Sequence, residues 1–151
     1  MKKVFKFLGP IVIMVALLLT ANHFLKPKVE VAAKEVTLTF KIDLADDKQD
    51  IGELKVSSTD ENELLTLGDV IDKVNNSDVN YKFILNGDKN SEYGRFLEAI
   101  NDMIPDPSKN QYWSIISRTN QDCLAADGYC NGLDIQPVLD QDVFDFILTS
   151  W

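Results

Sequence analysis

Cys123 and Cys130 are the only cysteines of the 151-residue chain, with Leu124 to Tyr129 between them. Two thiols so placed can close a loop or act as a redox pair. The spacing is not C-x-x-C, and no basic neighbour stands beside either sulfur to lower its pKa, so thiolate chemistry has little support. Asp127-Gly128 is a tight-turn pair inside the loop. In an exported chain the favoured expectation is a structural disulfide, Cys123 to Cys130. Closing so short a loop stabilises by about 2.5 kcal/mol on the chain-entropy model.

Asp127, Asn131 and Asp134 offer oxygen ligands close together in sequence. A calcium loop needs more oxygens at fixed spacing and usually a bidentate acid at its end. Turn chemistry accounts for the same residues, so no metal site is expected. The single histidine, His23, lies in the N-terminal apolar run. Ser-His-Asp and Cys-His nucleophilic sites and histidine zinc sites are therefore not expected in the rest of the chain. The 24 acidic residues allow many carboxylate pairs, but none is marked out by its surroundings for glycoside hydrolysis. No catalytic role and no cofactor are expected. Tyr112 and Trp113 are adjacent in a strand-like segment and must point to opposite faces. Trp113 with Ile115 is the expected inward pair. Tyr112 and Tyr129 are the two side chains that could stack on a flat ligand, with surface filling as the plainer alternative.

These residues follow an N-terminal segment with export chemistry. Lys2, Lys3 and Lys6 precede an uncharged run from Phe7 to Leu25. As a helix that run just spans a hydrocarbon core of about 30 Å. The positive flank favours an inside N-terminus and an outside C-terminus. Residues 1–25 therefore read as a signal anchor, with a cleaved signal peptide as the rival. Leu19-Thr20-Ala21 is a poor cleavage site, and Val31-Ala32-Ala33 lies far downstream. Residues 26–35, opened by Pro27, read as a linker to a domain over 36–151. The expected location is a single-pass cell membrane protein with its C-terminal domain outside, or a secreted protein if the segment is cleaved. The membrane is thus a partner through residues 7–25.

Residues after Lys28 hold 10 basic and 24 acidic side chains, a net charge of −14. A field of that sign repels phosphate backbones, so nucleic acid is not an expected partner.

Alternation places the elements of the outer domain. Val36, Leu38, Phe40, Ile42 and Leu44 recur at period two, a half-buried strand. Ala45 to Gln49 reads as a turn, with a short second strand around Leu54 and Val56. Leu67, Val70, Ile71 and Val74 form one helix face, with Thr66 as N-cap and Asp69 at N3. Asp72 falls on the opposite face, and its replacement by alanine is expected to be nearly silent. Tyr81, Phe83 and Leu85 alternate up to Asn86-Gly87, a turn signal. Arg95 to Ile104 fits a helix face as well as a strand. Tyr112 to Arg118 and Val143 to Leu148 read as strands. One amphipathic helix must bury its stripe, so the expected class is α+β, a mixed or antiparallel sheet against one main helix.

The order of these motifs resembles the transcobalamin-like C-terminal domain family. It is carried by Thr66-Leu67-Gly68-Asp69-Val70-Ile71, Tyr93 to Asn101, Gln111-Tyr112-Trp113-Ser114-Ile115 and Val138 to Phe146. The resemblance spans about residues 36–151 and implies a β-grasp-like fold. It also tips Arg95 to Ile100 towards strand. Asp102 and Gln141 stand where the family pattern has glycine, and Thr119-Asn120-Gln121 replaces its Asn-Gly. The resemblance implies an extracellular binding module for a small flat ligand or an envelope protein. A structural part of a cell-surface assembly is the alternative. The helical partner domain that completes cobalamin binding in vertebrate relatives has no counterpart in this sequence, so cobalamin capture by this chain alone is not expected.

Overall fold

The computed structural model describes residues 34–60 and 62–151. The expected anchor and cleavage sites lie outside them, as does the linker up to Ala33. No helix among the described residues is long and apolar enough to cross a membrane.

The architecture is α+β. Strand β1 (Lys34–Leu44) pairs antiparallel with β2 (Asp47–Ser58) and parallel with β6 (Val143–Ser150). Strand β5 (Gln111–Ile116) pairs antiparallel with β6, giving a mixed four-stranded sheet of order β2-β1-β6-β5. Strands β3 (Phe83–Asn86) and β4 (Phe96–Ile100) form a separate antiparallel pair. Helix α1 (Leu67–Asn75) is the main helix, and α2 (Gln121–Ala125) is one short turn that contains Cys123 and opens the cysteine loop.

Helix α1 forms for the reasons its sequence announces. The Thr66 hydroxyl accepts from the Asp69 N–H at 3.2 Å, and the Asp69 carboxylate accepts from the Thr66 N–H at 3.0 Å. Leu67, Val70, Ile71 and Val74 are buried. Each such burial is worth about 1.5–3 kcal/mol. They face Val36, Leu38 and Phe40 of β1 and Phe144 and Phe146 of β6 in one core. Phe40, Phe83 and Phe146 meet at centroid distances of 5.7–5.9 Å, and Tyr81 stacks on Phe40 at 4.3 Å.

Several expectations change. Ala45 to Gln49 is not a turn: only Ala45 and Asp46 turn, and β2 runs from Asp47. The residues of that end are exposed on both faces, so no apolar alternation marks them. The β1 alternation holds to Phe40. A register shift between Phe40 and Lys41 then leaves Ile42 and Leu44 only half-buried. Residues 95–104 contain a strand, not a helix, because Phe96–Ile100 finds a partner in β3. That partner forms a second sheet, where one was expected. Gln141, in a glycine position of the resembled pattern, adopts φ 66. Its N–H donates to the Glu35 carbonyl at 2.8 Å, and this contact holds the turn in a conformation costly for a side-chain-bearing residue.

Candidate functional site

The loop from Asn131 to Pro137 crosses from the cysteines to the start of α1 and makes two different surroundings. On one side it closes the helix. The Leu67 and Gly68 amides, which the first helical turn cannot satisfy, donate to the Gln136 and Leu133 carbonyls at 2.9 and 2.8 Å. A Cβ on Gly68 would lie 2.1 Å from Asp134 Oδ1, so only glycine lets the loop approach.

Arg95 joins these pieces. Its Nη1 and Nη2 donate to Asp72 at 2.8 and 2.9 Å, while Nε and Nη2 donate to Asp134 at 3.0 and 2.8 Å. The Arg95 backbone N–H also donates to Asp134, at 2.7 Å. Lys89 bridges Asp69 and Asp72 at 3.0 and 2.9 Å. The Asp134 side chain is only 2% exposed, against 34% for Asp72. Burial pushes both carboxyls up, but the Arg95 hydrogen bonds outweigh it and hold both below the usual carboxylate range. The bonds to Asp134 and then Asp72 raise the Arg95 pKa against its own burial. Asp72 is therefore not the idle surface residue its helix face suggested.

A second polar cluster lies beneath the loop. Asn120 Nδ2 donates to the buried Asp142 carboxylate at 2.6 Å, and Gln136 Nε2 donates to Asn120 Oδ1 at 2.9 Å. Asn120 also caps α2 through Asp122 and Cys123. These groups satisfy one another and have no open face.

On its other side the same loop walls a cleft between β4 and β5. Arg95, Phe96 and Leu97 form one wall, Trp113 and Ile115 the other, and Asn131 to Leu133 contribute from the loop. Its volume is about 210 Å³. Trp113 Nε1 is the one buried side-chain polar atom without a hydrogen-bond partner among the described residues. Strand β5 is an edge of its sheet, with no ladder to β4. The backbone groups of its odd-numbered residues point to that edge. Gln111 N–H donates to Asp106 O at 3.1 Å, Ile115 O accepts from Cys130 N–H at 3.0 Å, and Ser117 N–H donates to Gly128 O at 2.9 Å. By alternation Trp113 N–H, Trp113 C=O and Ile115 N–H point the same way, and they meet no partner among the described residues.

Cys123 and Cys130 are bonded to each other. Their loop covers the upper end of the β5 edge, with Tyr129 bridging Ile116. Tyr112 and Tyr129, the expected stacking residues, are not brought together. Tyr112 packs on Trp151 with ring centroids 5.0 Å apart, and Tyr129 lines a separate depression of about 350 Å³ with Leu124 and Arg118. They stand near opposite ends of β5, roughly 13 Å apart along the strand. Asp127, Asn131 and Asp134 are not assembled as ligands either. Asp127 sits in the cysteine turn at φ 56, Asn131 donates to Gln136, and Asp134 is held by Arg95. Among the described residues no group of three His, Cys, Asp or Glu side chains is placed to hold a metal. Trp113 was legible only as an inward residue. No signal in a single sequence says that its indole N–H lacks an acceptor.

No family model matches the chain, and no curated protein matches it. Among solved structures, it is similar to a protein of Ruminococcus gnavus described provisionally as metal-binding. The TM-score is 0.49 at 23% identity, covering 78% of this chain and 98% of that one. It is also similar to haptocorrin solved in complex with Cbi. There the TM-score is 0.47 at 11% identity, covering 78% of this chain. The chain spans only 25% of haptocorrin's length. Both likenesses are distant.

Proposed function

We propose that this chain is a non-catalytic binding domain of β-grasp type, displayed outside a membrane, whose ligand enters the cleft between β4 and β5. The β-grasp reading is supported by strand order: the first and last strands lie parallel at the sheet centre, with a hairpin before the helix. The observation that carries the site is the unpaired Trp113 Nε1 in the cleft wall. A buried donor without an acceptor costs about 1–3 kcal/mol, and a ligand oxygen that reaches it recovers that cost. Because the atom is shielded, the Trp113 ring must turn or the cleft must widen as the ligand enters.

The non-catalytic reading is supported by the same geometry. The acids next to the cleft, Asp72 and Asp134, are committed to Arg95. The only histidine precedes the domain. A library of small amides and carboxylates, followed by the indole N–H resonances of Trp113 and Trp151, tests the site. Binding compounds should move Trp113, and the Trp113→Phe variant should bind them more weakly. Compounds that bind without touching Trp113 would place the site elsewhere. The display outside a membrane rests on the Lys2-Lys3-Lys6 flank and the run to Leu25. Cell fractionation with sequencing of the mature N-terminus tests it. A soluble product starting near Asn22 or Lys34 would remove the tether and leave a secreted domain.

A further inference from the structure

We infer that the ligand is an extended, positively charged peptide that adds to β5 as a further strand. The inference rests on the cleft being the binding site and names what the cleft takes. The edge of β5 is closed at both ends by the protein itself. The Asp106 carbonyl takes the Gln111 amide at one end, and Gly128 and Cys130 take Ser117 and Ile115 at the other. An edge strand left bare invites uncontrolled pairing, and covering it is the usual remedy. Here the cover stops short in the middle. Among the described residues nothing pairs with Trp113 N–H, Trp113 C=O and Ile115 N–H, which remain as a donor, an acceptor and a donor along one edge.

That pattern is what a peptide backbone complements, and it defines strand addition. The size of the cleft agrees. Its volume of about 210 Å³ is below the range of roughly 300–1,000 Å³ typical of drug-sized ligands. A narrow slot between two strands admits a chain better than a flat ring system. The side chains give the other half of the recognition. Phe96, 58% exposed on the opposite wall, offers an apolar contact for alternate peptide side chains.

Charge selects among peptides. Among the described residues Arg95 is the only cation on the cleft wall, and two carboxylates already neutralise it. Glu98 is exposed on β4, and the chain after Lys28 carries a net charge of −14. A basic peptide is drawn in and an acidic one repelled.

The test uses the full chain in detergent micelles and a library of lysine-rich capped decapeptides. The tightest peptide is resynthesised with one backbone amide N-methylated at a time. The open stretch offers one acceptor, the Trp113 carbonyl, so strand addition predicts one sensitive amide. Its methylation should weaken binding about tenfold, the worth of one lost hydrogen bond, while the other positions stay within about twofold. The Trp113 and Ile115 amides should gain protection from hydrogen exchange on binding. Ile115→Pro removes one open donor without touching the β5–β6 ladder and should weaken the peptide similarly. The methylation series decides the question even if that variant fails to fold. A peptide that shifts the Trp113 indole with no single sensitive amide overturns strand addition and leaves the cleft as the site. One that binds with neither effect overturns both. A library that returns no binder overturns strand addition. Equal binding after replacing the lysines by glutamate removes the charge requirement and with it the proposed ligand class.

Discussion

Two regions meet at Arg95 and the loop after Cys130, and their polar groups are treated oppositely. Towards α1 the polar groups are paired: the guanidinium and the first helical amides donate, and the Asp134 carboxylate accepts. Towards β5, Trp113 Nε1 and a stretch of strand edge are left without partners among the described residues. Complete satisfaction is what holds a fold together in a medium of low dielectric. Incomplete satisfaction at a cleft is what a binding surface offers before its ligand arrives. The same loop supports both, so the lock on the helix side can keep the cleft open on the other.

The comparison breaks first if the helix side is not the seat of stability. Val70 is fully buried under the sheet. Val70→Asp should cost more than about 4 kcal/mol and abolish the cooperative thermal transition seen by near-ultraviolet circular dichroism. A folded Val70→Asp protein would mean that α1 does not pack as described.

The next largest effect falls on the charge network. Arg95→Ala leaves the buried Asp134 carboxylate without its counter-charge and with only the backbone N–H of residue 95, at a cost of about 3–5 kcal/mol in chemical denaturation. Asp72→Ala should cost only about 1 kcal/mol, because Asp72 is a third exposed and solvent screens it. Acid sharpens the test. The folded pKa values of Asp72 and Asp134 are depressed, so their stabilisation is present above the ordinary carboxylate value near pH 4. It is lost as pH falls through the lower folded values. Stability measured from about pH 5 downward should decline more gently in Arg95→Ala than in the parent. Parallel declines would show that Arg95 is not the partner that matters.

The cysteine loop comes third. Replacing Cys123 and Cys130 by serine should lower stability by about 2–3 kcal/mol and leave the far-ultraviolet spectrum unchanged. It should also loosen the cover of the β5 edge, seen as faster exchange of the Ser117 amide, which donates to Gly128. Slow Ser117 exchange in the double variant would separate the disulfide from the edge it appears beside.

The smallest effect is expected at the cleft itself. Trp113→Phe deletes a donor that has no partner among the described residues, so in the free protein it should change stability by less than about 1.5 kcal/mol despite the lost ring. A loss as large as that of Arg95→Ala would make Trp113 a core residue and remove the contrast between the two sides.

Local pattern alone determined the helix and its cap, since Thr66, Asp69 and the stripe from Leu67 to Val74 interact within two turns. It also determined the inward faces of β1 and β6, because period-two burial is written directly into Val36, Leu38 and Phe40 and into Phe144, Phe146 and Leu148. The cysteine pair was legible from count and spacing. Partners distant in the chain could not be read. Phe96–Ile100 fits a helix face as well as a strand, and only β3 decides it. Asp72 looks idle until Arg95, 23 residues away, reaches it, and Asp134 approaches α1 only because Gly68 leaves room. The open edge at Trp113 is decided by tertiary structure too. A hydrogen bond is a relation between two groups, and its absence shows only when everything that surrounds the donor is in place.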